Sequence, residues 1–139
     1  MLNTPQGGEN PSPLAVLVVD DEPLIRWSLR DALRRRGHQV TEAGNAAEAL
    51  RAVESGHGRF DVVILDYRLP DRQDLTLLSD VRRLAPRAMV CMMTAYGDES
   101  MRAEAFALGA RAVVEKPFQV NAVVTLVESG LSATGHSNA

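Results

Sequence analysis

The stretch Phe60 to Pro70, FDVVILDYRLP, decides how the rest of the chain is read. Val62 to Leu65 is a short run of β-branched and aliphatic residues, the pattern of a strand covered on both faces in a parallel sheet. The run ends on Asp66. An ionised carboxylate is costly to bury, so packing does not explain it. Its place is the carboxyl end of the strand, where open α/β sheets bind their ligands.

The flanking sequence repeats the theme. Leu14 to Val19 is an apolar strand ending in Asp20, Asp21 and Glu22. Pro23 suits a first helical turn, and Leu24, Ile25, Leu29, Ala32 and Leu33 recur at helical spacing up to a stop at Gly37. Gln39 to Ala43 is a weaker strand, and Asn45 caps a helix with Ala46, Ala49, Leu50 and Val53 on its apolar face. Beyond Pro70, a helix carries Leu75, Leu77, Leu78, Val81 and Leu84 and closes at Pro86. Ala88 to Met93 is a buried strand ending in Thr94. A helix opened by Gly97-Asp98 carries Met101, Ala105, Phe106 and Leu108. Ala112 to Val114 is a short last strand before Glu115, Lys116 and Pro117, and a final helix runs from Val120 to Leu131.

Strand and helix alternate about five times, which predicts βαβ units with right-handed crossovers: an α/β fold with one doubly wound, parallel, five-stranded sheet. The chain has 139 residues, a length for one domain, expected over 14–131. Residues 1–13 read as a disordered lead-in and 132–139 as a flexible tail joined to nothing further. Net charge is -3 with no basic block, so nucleic acid is not an expected partner. No apolar run reaches the roughly 18 residues of a membrane span, and no signal peptide opens the chain. A single cysteine, Cys91, excludes an internal disulfide and fits a reducing cytoplasm.

Four strand ends carry polar residues: Asp20 and Asp21, Asp66, Thr94, and Lys116. In a parallel sheet all four emerge on one edge. Crowded carboxylates repel, so without a cation at least one has a raised pKa. Asp20 or Asp21 with Asp66 makes half a site for Mg²⁺, which takes carboxylate, water and phosphate oxygens. A carboxylate is also a nucleophile able to form an aspartyl phosphate. Lys116 is the one lysine among 15 basic residues, and its compact charge would offset incoming phosphate. The Thr94 hydroxyl could donate to a phosphoryl oxygen.

The runs VVDDE (Val18 to Glu22), ILDYRLPD (Ile64 to Asp71), MMTAYG (Met92 to Gly97) and EKPF (Glu115 to Phe118) together resemble the receiver domain of two-component response regulators. Ile25-Arg26-Trp27 and the RLP run look most like receivers of nitrogen-regulation-type transcription activators, which usually precede an ATPase domain that is absent here. The resemblance implies a flavodoxin-like (βα)5 fold with strand order 2-1-3-4-5. It implies that Asp66 is the phosphoacceptor, and that Asp20 and Asp21 hold Mg²⁺ with Asp66 and the backbone carbonyl of Arg68. Thr94 matches the switch hydroxyl and Lys116 the phosphate-binding lysine, with a cis bond to Pro117. The donor would be a histidine kinase or histidine phosphotransfer protein, and the output an unidentified downstream protein. Such a domain is a signalling module that catalyses only its own phosphotransfer and slow dephosphorylation.

Two positions depart from the pattern. Val113 stands where receivers usually carry an aromatic, which puts the threonine–aromatic coupling in doubt; Tyr96 could take part of that role. Asp74 stands where many receivers have glycine. Val113 favours a second reading, a phosphorylation-independent interaction module. An FMN binder fits poorly, because the loop after the first strand is acidic. Other residues have plainer expectations. Trp27 is expected half-buried on a helix flank. His38, His57 and His136 are expected in solvated loops, and Arg34 to Arg36 at a solvated helix end. The final helix is apolar at Val120, Ala122, Val123, Val124, Leu126 and Val127, from core packing or from a homodimer face across the last two helices.

Overall fold

The computed structural model describes residues 12–95 and 97–132, with the side chains of Leu131 and Ser132 left out. Tyr96, His136, and nearly all of the expected lead-in and tail lie outside the described residues. The elements are β1 (Ala15–Val19), α1 (Pro23–Arg35), β2 (Gln39–Ala43), α2 (Ala46–Ser55), β3 (Val62–Asp66), α3 (Thr76–Leu84), β4 (Met89–Thr94), α4 (Glu99–Ala107), β5 (Ala112–Glu115) and α5 (Val120–Ser132). All strand pairs are parallel, in the order β2-β1-β3-β4-β5. The expected architecture and strand order are therefore present.

The apolar runs work as expected because both faces of the sheet are covered. Alternate residues of one strand enter different cores. Val63 and Leu65 of β3 pack with α2, α3 and α4, whereas Val62 and Ile64 pack with α1 and α5. Each fully buried aliphatic side chain contributes about 1.5–3 kcal/mol of transfer free energy. Helix starts follow the local signals: Pro23 opens α1, and the Asn45 and Asp98 side chains accept from the Glu48 and Met101 N–H groups.

Some expectations need correction. Trp27, 52% exposed, is half-buried on the flank of α1 as expected, but Leu24, read on the apolar side of that helix, is 73% exposed, five residues from Leu29 and off its face. On α4 only Met101 and Ala105 are buried; Phe106 is turned away and Leu108 is already the C-cap. The apolar side of α5 faces inward through Val123, Val124 and Val127. Among the described residues, the exposed large hydrophobics are Leu24, Trp27, Phe106 and Leu108, none of them on α5.

His38 is not solvated. Gly37, at φ +92°, turns the chain into β2, and α5 covers the ring. Leu14 N–H donates to Nδ1 (3.1 Å), and Nε2 donates to Glu128 Oε2 (2.8 Å). Arg36 is likewise tied to α5 through two hydrogen bonds to Glu128, at 3.0 and 2.9 Å. The hydrogen bond from Arg36, outweighing partial burial and helped by His38, holds the Glu128 carboxyl below its usual value of 4.5.

Two stability effects are expected. A depressed carboxylate stabilises the fold above its unfolded pKa and loses that contribution as pH falls through the folded value. Urea unfolding of Glu128→Gln should therefore show lower stability than wild type at pH 7, with the gap closing below about pH 4.5; parallel profiles would contradict the Glu128 linkage. Gly58 sits at φ +68°, and a Cβ there would lie 2.6 Å from the Leu84 carbonyl oxygen. Gly58→Ala should cost about 1–2 kcal/mol in the same assay.

Candidate functional site

β1 and β3 are neighbours and parallel, so Asp20 and Asp66 emerge side by side. β3, β4 and β5 each extend to include their polar end residue, pairing Asp66 with Met93 and Thr94 with Glu115. The sequence-predicted residues then converge. One carboxylate oxygen each from Asp20, Asp21 and Asp66 lie within 4.8 Å of one another. Lys116 Nζ is 2.7 Å from Asp20 Oδ2 and 3.3 Å from Asp66 Oδ2. Asp20 and Asp66 are buried and Asp21 is exposed, which gives the trio an open side.

Each group is held by identifiable contacts. Asp20 N–H donates to the Ala43 carbonyl (3.1 Å), and Asp20 Oδ1 accepts from Glu22 N–H (2.8 Å). Arg68 meets Asp66 through its main chain, hydrogen-bonding the carboxylate. Thr94 is buried, and its carbonyl accepts from Lys116 N–H (2.8 Å), which couples the ends of β4 and β5. A Cβ on Gly97 would lie 2.8 Å from the Thr94 methyl, so glycine leaves that side chain its space. The Lys116–Pro117 bond is cis. Val113 is buried against the α2–α4 side of the sheet.

The loop after β3 is anchored away from the pocket. Asp71 accepts from Ala46 N–H (2.8 Å) and Ala47 N–H (3.0 Å), capping α2, and Arg72 pairs with Asp80 of α3 (2.8 Å). Asp74 accepts from Thr76 N–H (3.0 Å), so the residue in the glycine position forms the turn into α3.

The electrostatics follow from this crowding. Burial first, and the Asp20 charge second, push Asp66 up to about 6 against the pull of Lys116. Burial alone would lower the Lys116 pKa; its hydrogen bond to Asp20 and the charge of Asp66 overcome this and raise it. Three acids with one ammonium leave unbalanced negative charge, and oxygen donors at this spacing suit a hard divalent cation. Mg²⁺ fits this donor set. Glu22, 3.4 Å from Lys116 Nζ, is an acid that sequence reasoning does not place here. Its position directly after the Asp pair was the available signal. Cys91 is buried inside β4, with its thiol pushed up to about 12 by burial.

Comparison with known proteins agrees with the geometry. The family model described as the response regulator receiver domain matches residues 16–128. The DNA-binding transcriptional regulator NtrC of Escherichia coli K12 is 38% identical over 117 residues, which are 84% of this chain and 24% of that protein. The chain thus spans about a quarter of such relatives' length. The chemotaxis protein CheY of Bacillus subtilis is 30% identical, covering 84% of this chain and 97% of that protein. A solved CheY-like receiver from Methanospirillum hungatei superposes with a TM-score of 0.81 at 27% identity, covering 87% of this chain and 95% of that one. With its sheet order and acidic strand ends, the chain belongs to the receiver domain family of two-component response regulators.

Proposed function

We propose that the chain, as a receiver unit over residues 14–131, accepts a phosphoryl group on Asp66 from a histidine kinase or histidine phosphotransfer protein. The observation that carries this reading is the convergence of Asp20, Asp21, Asp66 and Lys116 on one pocket. An Asp66 oxygen attacks phosphorus, the P–N bond of the donor phosphohistidine breaks, and its electron pair leaves on the imidazole nitrogen. Mg²⁺, held by Asp20, Asp21, Asp66 and the Arg68 carbonyl, would supply charge stabilisation and alignment. With a pKa of about 6, most Asp66 is ionised at pH 7 and available as nucleophile.

Phosphorylation adds about -1.5 to -2 charges. Lys116, which bridges Asp20 and Asp66, must then re-partner toward phosphate. Thr94, joined to Lys116 through the main chain, shifts its hydroxyl toward the same oxygens. The change biases the surface of β4, α4 and β5 for a downstream protein. A tenfold change in partner affinity needs about 1.4 kcal/mol of differential contact. Leu24, exposed at the start of α1 and lining a cleft with Lys116, offers the donor an apolar landing surface, with Trp27 exposed on the same helix. A cytoplasmic site of action matches kinases that draw on ATP. Val113 supports one other reading, constitutive binding without phosphorylation, because it has no ring to move between buried and exposed positions.

Incubation with acetyl phosphate or phosphoramidate plus Mg²⁺, followed by intact mass measurement, tests the mechanism. Wild type should gain one phosphoryl group, Asp66→Asn none, and EDTA should slow the gain about tenfold or more. No gain in wild type, or equal gain in Asp66→Asn, would overturn it. Equal partner affinity for wild type, Asp66→Asn and phosphoprotein would instead select constitutive binding.

A further inference from the structure

Arg26 reaches the acidic pocket without entering it. It projects from the first turns of α1, and its Nη1 donates to the main-chain carbonyl of Asp20 at 2.6 Å. Its Nε donates to Glu42 Oε1 at 3.1 Å. Glu42 stands on β2 opposite Val18 of β1, and its other oxygen takes Nη1 of Arg30. The guanidinium is therefore fixed at two points, by an acid on the edge strand and by the peptide group joining Asp20 to Asp21.

That peptide matters because Asp21 comes directly after it. Asp20 has its own restraints: its N–H on Ala43, and its carboxylate on Glu22 N–H and Lys116. Asp21 is exposed, and its carboxylate has no hydrogen bond or ion pair among the described residues. Its aim is set by the two peptides that flank it. The Asp20 carboxylate holds the second, through Glu22 N–H, but a cation would compete for that carboxylate. Arg26 holds the first and is not itself a cation ligand. Glu42, which also pairs with Arg30, holds the guanidinium on the β2 side, away from the carboxylates of the pocket.

At Gly44 an added Cβ would lie 3.3 Å from Arg26 Nη1, a tight contact that the guanidinium could ease by moving a few tenths of an ångström.

We propose that Arg26, held by Glu42, is a positioning residue that aims Asp21 at the cation. The proposal rests on the reading of Asp20, Asp21 and Asp66 as a Mg²⁺ site. It assigns a role to the arginine of the Ile25-Arg26-Trp27 run. Groups that orient metal ligands typically change affinity about 10- to 100-fold when removed.

Calorimetric titration of the whole chain with Mg²⁺, without a phosphoryl donor, tests this. Arg26→Ala should bind Mg²⁺ about 10- to 100-fold more weakly than wild type while remaining folded in EDTA. Arg26→Lys should recover part of the loss, since an ammonium reaches the carbonyl but cannot also make the Nε contact to Glu42. Glu42→Gln should weaken binding by about threefold or more, and Arg35→Ala, whose ion pair is with Asp31 on the surface, should not. A folded Arg26→Ala that binds Mg²⁺ within about twofold of wild type overturns the proposal. If Arg26→Ala does not fold, Glu42→Gln decides, and unchanged affinity there overturns it equally. Failure of wild type itself to bind Mg²⁺ would overturn the cation site and this inference with it. Normal wild-type binding with an indifferent Arg26→Ala would overturn this inference alone.

Discussion

Asp20 and Asp66 end adjacent parallel strands, so the sheet forces two buried carboxylates toward the same few ångströms of space. At an effective dielectric near 20, two charges 4 Å apart repel by about 4 kcal/mol. Lys116 answers the conflict from β5, three strands away from β1 in the sheet, by bridging both acids. The answer is incomplete, because Asp66 still stands near 6 and Asp21 adds a third acid on the open side. Carboxylate oxygens crowded this way form a donor set suited to a hard divalent cation. Its chemistry depends on parallel topology as much as on residue type.

The same constraint explains what can move. β1 and β3 are covered by helices on both faces, and their ends are fixed by hydrogen bonds to Ala43 and Met93. α4 is anchored less well, by Met101 and Ala105, with Phe106 and Leu108 facing outward. Elements with little burial open and shift at lower cost than the core. Thr94 joins the two regimes. It ends a buried strand, its methyl faces Gly97 just before α4, and its carbonyl holds Lys116. Val113 is buried beside Met92 of β4 and has no ring to move, so the Thr94 contact is what links the pocket edge to the segment before α4.

Much of this was legible in the amino-acid order. Uninterrupted apolar runs such as Val62 to Leu65 can satisfy only a strand covered on both sides, and polar residues at their ends have only one edge to occupy. Pro23, Asn45 and Asp98 announced helix starts by local chemistry. What escaped was partner choice across long sequence gaps. His38 and Glu128 are 90 residues apart, and nothing local distinguishes a buried, doubly bonded imidazole from a loop histidine. Asp71 lies in the ILDYRLPD run yet caps α2, 25 residues upstream. Arg26 was visible as part of a family-like run, but its reach to the Asp20 carbonyl depends on how α1 packs against β2. Periodicity also misled at Leu24 and Phe106, where one residue's offset around a helix separates core from solvent.

The central claim is spatial: strand ends distant in the chain share one cation. Paramagnetic broadening by substoichiometric Mn²⁺ reads this from backbone amide NMR signals. The account predicts selective loss of signals at Asp20 to Glu22, Asp66 to Arg68, Thr94 and Glu115 to Lys116, reversed by excess Mg²⁺. Signals at the opposite edge, such as Asp61 and Arg111, should stay sharp. Broadening that leaves any one of those strand ends untouched, or that centres elsewhere, would contradict it.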